Sequence, residues 1–342
     1  MSDDTQKPPE PQRPNLTYFV ELAGEKLREL LARPGVLGGL RRSHAACSVA
    51  MLDLDEARAE ALRALQESGV PLTAWLVLGE REGYWLTADN VALVGERYRQ
   101  VRDWLRGAGI AVQAVGLDLE PPHDDARAIV EQGRAAMRRM LVARRSKEEL
   151  ERAGQACAAL VAEIRGDGYR VEAYQFPVML DERRAGSTLL QRTLGVIDVA
   201  ADREVLMLYE SLLPPLFGEP LIDTYGPEAQ AIALGVTGGG VAFLRQIVEG
   251  RRLTLERLLL GLRRARRYTP HLYVFSLEGC VEAGYFDALC DADLCAPAAP
   301  AVLAGAGVAL RGALRLLLRS EELFDCWTGG PTRKPGGRQE ER

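Results

Sequence analysis

The residues best placed to do chemistry are two carboxylates one residue apart, Asp118 and Glu120, in Gly116-Leu117-Asp118-Leu119-Glu120-Pro121-Pro122. In a strand, residues i and i+2 share a face, so Gly116, Asp118 and Glu120 point one way while Leu117 and Leu119 point the other. Two unpaired carboxylates deep in a core are costly, but far less so at the wet carboxyl end of a strand, where Pro121-Pro122 stops the ladder. Gly116 carries no side chain below the pair and leaves room for a neighbour to reach in. A bare D-x-E can equally pair with arginines or cap the next helix. The apolar strand, the glycine and the Pro-Pro stop tip the balance toward a site.

Other groups fall at comparable places. Glu278, in Ser276-Leu277-Glu278-Gly279, and Glu210, after Met207-Leu208-Tyr209, both follow apolar runs. The segment Glu80-Arg81-Glu82-Gly83-Tyr84-Trp85 follows a run containing Trp75, and aromatic faces beside carboxylates suit stacking on a sugar ring; core packing explains Trp75, Tyr84 and Trp85 equally well. Of Tyr174 and Gln175, before Phe176-Pro177, one must face inward, and Gln175 could bond a hydroxyl. Asp181-Glu182-Arg183-Arg184 beyond them reads as a solvated charge cluster. A separate signal is Gly235-Val236-Thr237-Gly238-Gly239-Gly240, which is expected to open a helix over 241–250. Consecutive backbone N–H groups at a helix start attract anions, and barrels often bind phosphate at such a turn. A plain flexible turn is the competing reading, and no P-loop pattern is present.

The elements that must hold these residues alternate: a short apolar or β-branched run, a polar turn, then a helical period. Strands are expected at Ser48–Leu54, Leu72–Leu78, Val112–Glu120, Val171–Phe176, Val205–Tyr209, Ala231–Val236 and Leu272–Leu277. The eighth is expected at Leu16–Glu21, with Val196–Val199 as the alternative. Such alternation specifies a parallel sheet, and eight units fit a single-domain α/β (β/α)8 TIM barrel over 15–328. No G-x-G-x-x-G opens the chain to support a dinucleotide fold. The first helical segment, Ala23–Arg42, should be short or broken at Pro34. A helix from Asn90 should end at Gly107 in a left-handed cap. Ser146-Lys147-Glu148-Glu149 reads as a capping box that begins an extra helix around 146–165. Residues 1–14 and 329–342, rich in Pro, Gly and charge, are expected to be a disordered leader and tail.

With Leu16–Glu21 counted first, Gly116–Glu120 ends the fourth strand. It resembles the end of the D-x-x-D-x-D-x-E signature of chitinase-like enzymes, glycoside hydrolase family eighteen. Met207-Leu208-Tyr209-Glu210 likewise resembles that family's M-x-Y-D motif on the sixth strand. Gln113 and Gly116 stand where the family has two earlier aspartates, and Glu210 where it has a third. The resemblance implies a glycoside hydrolase in which Glu120 is the general acid, its pKa raised by burial and by Asp118. Asp118 and Tyr209 would then orient the substrate's acetamido group. An ordinary two-carboxylate route pairing Glu120 with Glu210 or Glu278 is also open.

The bulk properties bound this reading. With 47% hydrophobic and 27% charged residues the chain is globular, and its net charge of −5 argues against a protein that works by neutralising nucleic-acid phosphates. Six scattered cysteines without a C-x2-C pair, and three histidines, give no zinc spacing, so no metal or cofactor is expected and the thiols should be reduced and at least partly buried. The polar start predicts a cytoplasmic protein, and Arg311 and Arg315 interrupt the most membrane-like stretch, so no transmembrane segment is expected. Arg311, Arg315 and Arg319, and the arginines flanking Leu258–Leu262, should form outer helix faces rather than a membrane contact. The expected partner is a saccharide or other small molecule, with a non-catalytic ligand-binding barrel as the rival.

Overall fold

The computed structural model describes residues 15–212, 218, 220–239, 252–322 and 325. Gly240, the helix expected over 241–250, Cys326 and both expected tails lie outside the described residues. Eight parallel strands close a barrel in chain order: β1 Asn15–Val20, β2 Ala46–Ala50, β3 Leu72–Leu76, β4 Ala114–Leu119, β5 Arg170–Gln175, β6 Arg203–Met207, β7 Ala231–Gly235 and β8 His271–Phe275. β1 pairs with both β2 and β8, so Leu16–Glu21 supplies the first strand. Val196–Val199 is not a strand; Val196 and Ile197 pack in the outer core.

The period of two sorts each strand into two layers. Outward residues such as Tyr18, Val49, Leu76, Leu117, Leu206 and Val274 join the core beneath the helices. Inward residues, among them Phe19, Trp75, Tyr174, Val205, Tyr273 and Phe275, form a second, aromatic core inside the barrel. In β4, Asp118 is in register with Tyr174 and Leu119 with Gln175, so Asp118, Glu120 and Tyr174 belong to the inner layer and Gln175 to the outer.

The helices bear out most of the local punctuation and correct part of it. The first segment breaks into Gly24–Leu31 and Val36–Arg42, with Gly35 at φ 88° between them. The helix from Val91 runs through Gly107 to Ala108, and the left-handed cap is Gly109. Both bonds of the capping box are present, Glu149 N to Ser146 Oγ at 3.1 Å and Ser146 N to Glu149 Oε2 at 2.7 Å. The helix that opens there, Lys147–Gly166, packs on β5 and on Val91–Ala108 and takes the crossover position. The additional helices precede it, His123–Gln132 and Arg134–Val142, directly behind β4.

Two expectations of solvated charge fail. Asp181 and Glu182 are fully buried, and two arginines of the stripe turn inward to meet Asp181: Arg311 Nε and Arg315 Nε donate to its Oδ1 at 2.8 and 2.7 Å. Tyr225 Oη donates to its other oxygen at 2.7 Å, and the Arg311 guanidinium lies 4.1 Å from the Tyr225 ring centre. Sequence spacing could not show this, because the partners lie 130 positions apart. The described cysteines are free, with Cys47, Cys157 and Cys280 buried and Cys295 exposed. Among the described residues no helix is long and apolar enough to cross a membrane. Arg311→Ala leaves Asp181 with Arg315 and Tyr225 but removes charged hydrogen bonds to Asp181 and Thr224 O, so it is expected to lower the unfolding free energy by about 1–3 kcal/mol. Arg319→Ala, at an exposed position, should change it by less than about 0.5 kcal/mol in the same denaturant titration.

Candidate active site

At the carboxyl ends of the strands lies a cavity of about 280 Å³. Phe19, Trp75, Tyr174, Met207 and Phe275 form its inner wall. Three carboxyl side chains open into it: Asp118 and Glu120 from β4, and Glu21 from the end of β1. Tyr209 and Gly239 also line it, and Ala126, Ile129 and Val130 of helix His123–Gln132 roof it.

Each acid is set in place by its neighbours. A Cβ on Gly116 would lie 2.3 Å from Tyr174 Oη, so only glycine lets that ring cross beneath Asp118. Tyr174 Oη is hydrogen-bonded to Ser48 Oγ at 2.6 Å, which fixes the floor of the cavity. Leu86 N donates to Asp118 O at 2.9 Å and ties the loop after β3 alongside the end of β4, bringing Trp85 to the mouth. Asn90 secures that loop by donating to Trp85 O at 2.8 Å and Glu82 O at 3.1 Å. Within the loop Tyr84, held at φ 63°, donates its hydroxyl to Glu21 Oε1. Glu21 N in turn donates to Glu278 Oε1 at 3.2 Å.

Burial dominates the electrostatics. It holds the Asp118 carboxyl well above the usual range, and the charges of Glu120 and Glu21 add to the rise. The Trp75 indole offsets part of this, yet neither its Nε1 nor Asp118 Oδ1, both buried, completes a hydrogen bond among the described residues. Glu120 is pushed up to about 8, by burial first and by Glu21 second. Glu278, also at about 8, is raised mainly by burial and keeps Oε2 without a partner among the described residues. Burial and then Asp118, Glu120 and Glu21 drive the Tyr209 hydroxyl up as well.

Seven of the residues singled out from sequence therefore line one cavity: Asp118, Glu120, Tyr209, Trp75, Trp85, Tyr174 and Gly239. Tyr84 and Glu278 stand behind Glu21. Three others lie elsewhere. Gln175 faces the outer layer, where its Nε2 approaches Ile197 O at 3.4 Å. Glu210, in the turn after β6, is directed at Arg257 of helix Leu255–Arg266, 3.6 Å away. Glu80 is exposed in the turn Glu80–Glu82 and does not line the cavity. The described part of the glycine turn is closely packed. Thr237 spends its hydroxyl on Phe275 O and Ser276 O at 3.2 and 3.1 Å, Gly238 O accepts from Ser276 Oγ at 2.8 Å, and a Cβ on Gly239 would touch Glu278 Oε1 at 2.5 Å. Sequence reasoning missed Glu21, although the rule that found Glu120, an acid just past an apolar strand on its inward parity, applies equally to Phe19-Val20-Glu21.

A glutamate whose pKa lies above its ordinary 4.5 when folded binds its proton more tightly in the native state. Its contribution is complete below the unfolded value and is lost as pH rises through about 8. Glu120→Gln removes that loss. Its melting temperature relative to the parent is expected to climb between about pH 5 and pH 8 and to level off above. A difference that stays flat across the range would mean that the carboxyl titrates normally.

No protein-family model matches the sequence, and no curated protein does. Among solved structures the chain is similar to the glycoside hydrolase domain of PgaB (BpsB) from Bordetella bronchiseptica, at 10% identity over 82% of this chain and 98% of that one, with a TM-score of 0.47. It is similar to a GH18 chitinase from Pseudoalteromonas aurantia at 10% identity, over 80% and 98% of the two chains, with a TM-score of 0.45. A D-allulose 3-epimerase from Methylomonas sp. gives 13% identity, 78% and 85% coverage and a TM-score of 0.42. These are likenesses of fold, to glycoside-hydrolase-type barrels and to a sugar epimerase alike.

Proposed function

We propose that the protein is a glycoside hydrolase in which Glu120 is the general acid. The observation that carries this reading is a glutamate pushed up to about 8, sharing an aromatic-lined cavity with two further carboxyls from β4 and β1. An acid with that pKa keeps its proton at neutral pH and can release it to a leaving group. Glu120 gives its proton to the glycosidic oxygen as the bond to the anomeric carbon breaks, and the electron pair leaves with the departing alcohol. Water adds to the anomeric carbon and yields its proton to the second carboxylate. Glu21 takes that part, in place of Glu210 and Glu278 as read from sequence. Asp118, its carboxyl shifted toward the protonated form by burial, and Tyr209 hydrogen-bond the sugar, and Trp75 and Trp85 offer it aromatic faces. The glycine turn, with Glu278 against Gly239, lends little support to a phosphate-binding alternative.

The test is release of the leaving group from a broad panel of glycosides by the full chain. Glu120→Gln is expected to cut kcat by about 10²–10⁴-fold while sugar binding persists. The alkaline limb of the kcat/KM profile should fall at about pH 8, where Glu120 loses its proton. Binding of sugars by the parent without release from any member of the panel would leave a non-catalytic binding barrel.

A further inference from the structure

The cavity has two unlike halves. At one pole Asp118 Oδ1 and Trp75 Nε1, each on a side chain only 3% exposed, lack hydrogen-bond partners among the described residues and lie at the wall of the cavity beside Glu120 and Tyr209. Both atoms are closed off from the cavity space and the Trp75 indole leans on the Asp118 carboxyl, so the polar groups a ligand reaches here are the part-exposed Glu120 and Tyr209. The other pole is apolar: Ala126, Ile129 and Val130 from the roof, with Phe176, Leu212 and Val236 from the strand ends. Val130 remains 45% exposed, so the apolar surface continues to the rim.

A volume of about 280 Å³ sits at the low end of small-molecule sites. That volume has room for one sugar ring and a modest substituent. A second sugar ring against Ile129, Val130 and Leu212 would lose water from its hydroxyls with no polar group to replace it. A hydrocarbon group in the same place gains by leaving water.

We infer that the substrate is a small glycoside of an apolar alcohol, its sugar held beside Glu120 and Tyr209 and its alkyl or aryl leaving group seated under helix His123–Gln132. This rests on the hydrolase reading for the direction of cleavage, with the group that Glu120 protonates being the apolar alcohol's oxygen. It does not depend on that reading for binding.

Two ligand series separate the possibilities, titrated into full-chain Glu120→Gln and followed by the fluorescence of Trp75 and Trp85. The first is methyl, butyl and hexyl glycosides of glucose and of N-acetylglucosamine; the second is the unsubstituted oligosaccharides of the same sugars at increasing length. Affinity is expected to rise about three- to fourfold per methylene along the first series and to gain nothing with added sugars in the second. Val130→Asn and Ile129→Asn, the first at an exposed position, should each flatten the gain from methyl to hexyl. Affinity that climbs with sugar length while the alkyl series stays flat overturns the inference, as does failure of both series to bind. The hydrolase reading is scored apart, with the parent protein. Alkyl-dependent binding without cleavage of any member sinks the hydrolase and keeps the ligand class, whereas cleavage of oligosaccharides with a flat alkyl series does the reverse.

Discussion

Carboxyl groups gathered in one low-dielectric cavity repel one another and resist losing water, and the rest of the barrel mouth is arranged around that constraint. Asp118, Glu120 and Glu21 come from two strands that are not neighbours in the sheet, so only closure of the barrel brings them together. At Asp118 and Glu120 the response is the one expected of crowded acids: both carboxyls are shifted above the ordinary range, by burial first and neighbouring charge second. Donors are spent selectively. Glu21 receives the Tyr84 hydroxyl, whereas Asp118 keeps an oxygen without a partner among the described residues. That asymmetry lets acids of the same chemical type hold different roles within one cavity.

The surroundings explain how the strain is tolerated. Beneath the acids the interior is packed with edge-to-face aromatics, Phe19 against Tyr174 at 4.8 Å and against Trp75 at 5.5 Å. These rings give the floor a fixed shape with few polar atoms: the Tyr174 hydroxyl is satisfied by Ser48, and the Trp75 indole nitrogen keeps no partner among the described residues. Outside the barrel the opposite solution is used. Buried Asp181 is surrounded by Arg311, Arg315 and Tyr225, so its charge is matched at close range. Asp118 at the mouth keeps an oxygen without a partner among the described residues, whereas Asp181 in the wall is supplied on both oxygens.

Much of this was legible in the sequence, and the limits have physical causes. All eight strands follow from short apolar runs between turns, and the inward direction of Asp118 and Glu120 follows from a period of two anchored by Gly116. Tyr174 could have been chosen over Gln175 only by knowing the register between β4 and β5, which neighbouring strands set and no single strand reveals. Glu210 was lost because alternation ends where the strand does: in the turn Glu210–Leu212 parity no longer tells direction. Asp181 looked solvated because its cations lie far along the chain on Ala304–Arg319. Glu21 was overlooked for a different reason, since it entered only as the boundary of a strand and never as a group with a chemistry of its own.

Glu120 leads through Pro121 and Pro122 straight into helix His123–Gln132, so the proposed proton donor and the roof of the cavity are one unbroken stretch of backbone. After a further helix, Arg134–Val142, helix Lys147–Gly166 resumes the ordinary ring. A recombination event that swapped only this interval would transplant a new ceiling together with its own reactive residue and leave the ladder untouched. The interval is thus a self-contained cassette, on which divergence in ligand preference can act while the scaffold stays constant.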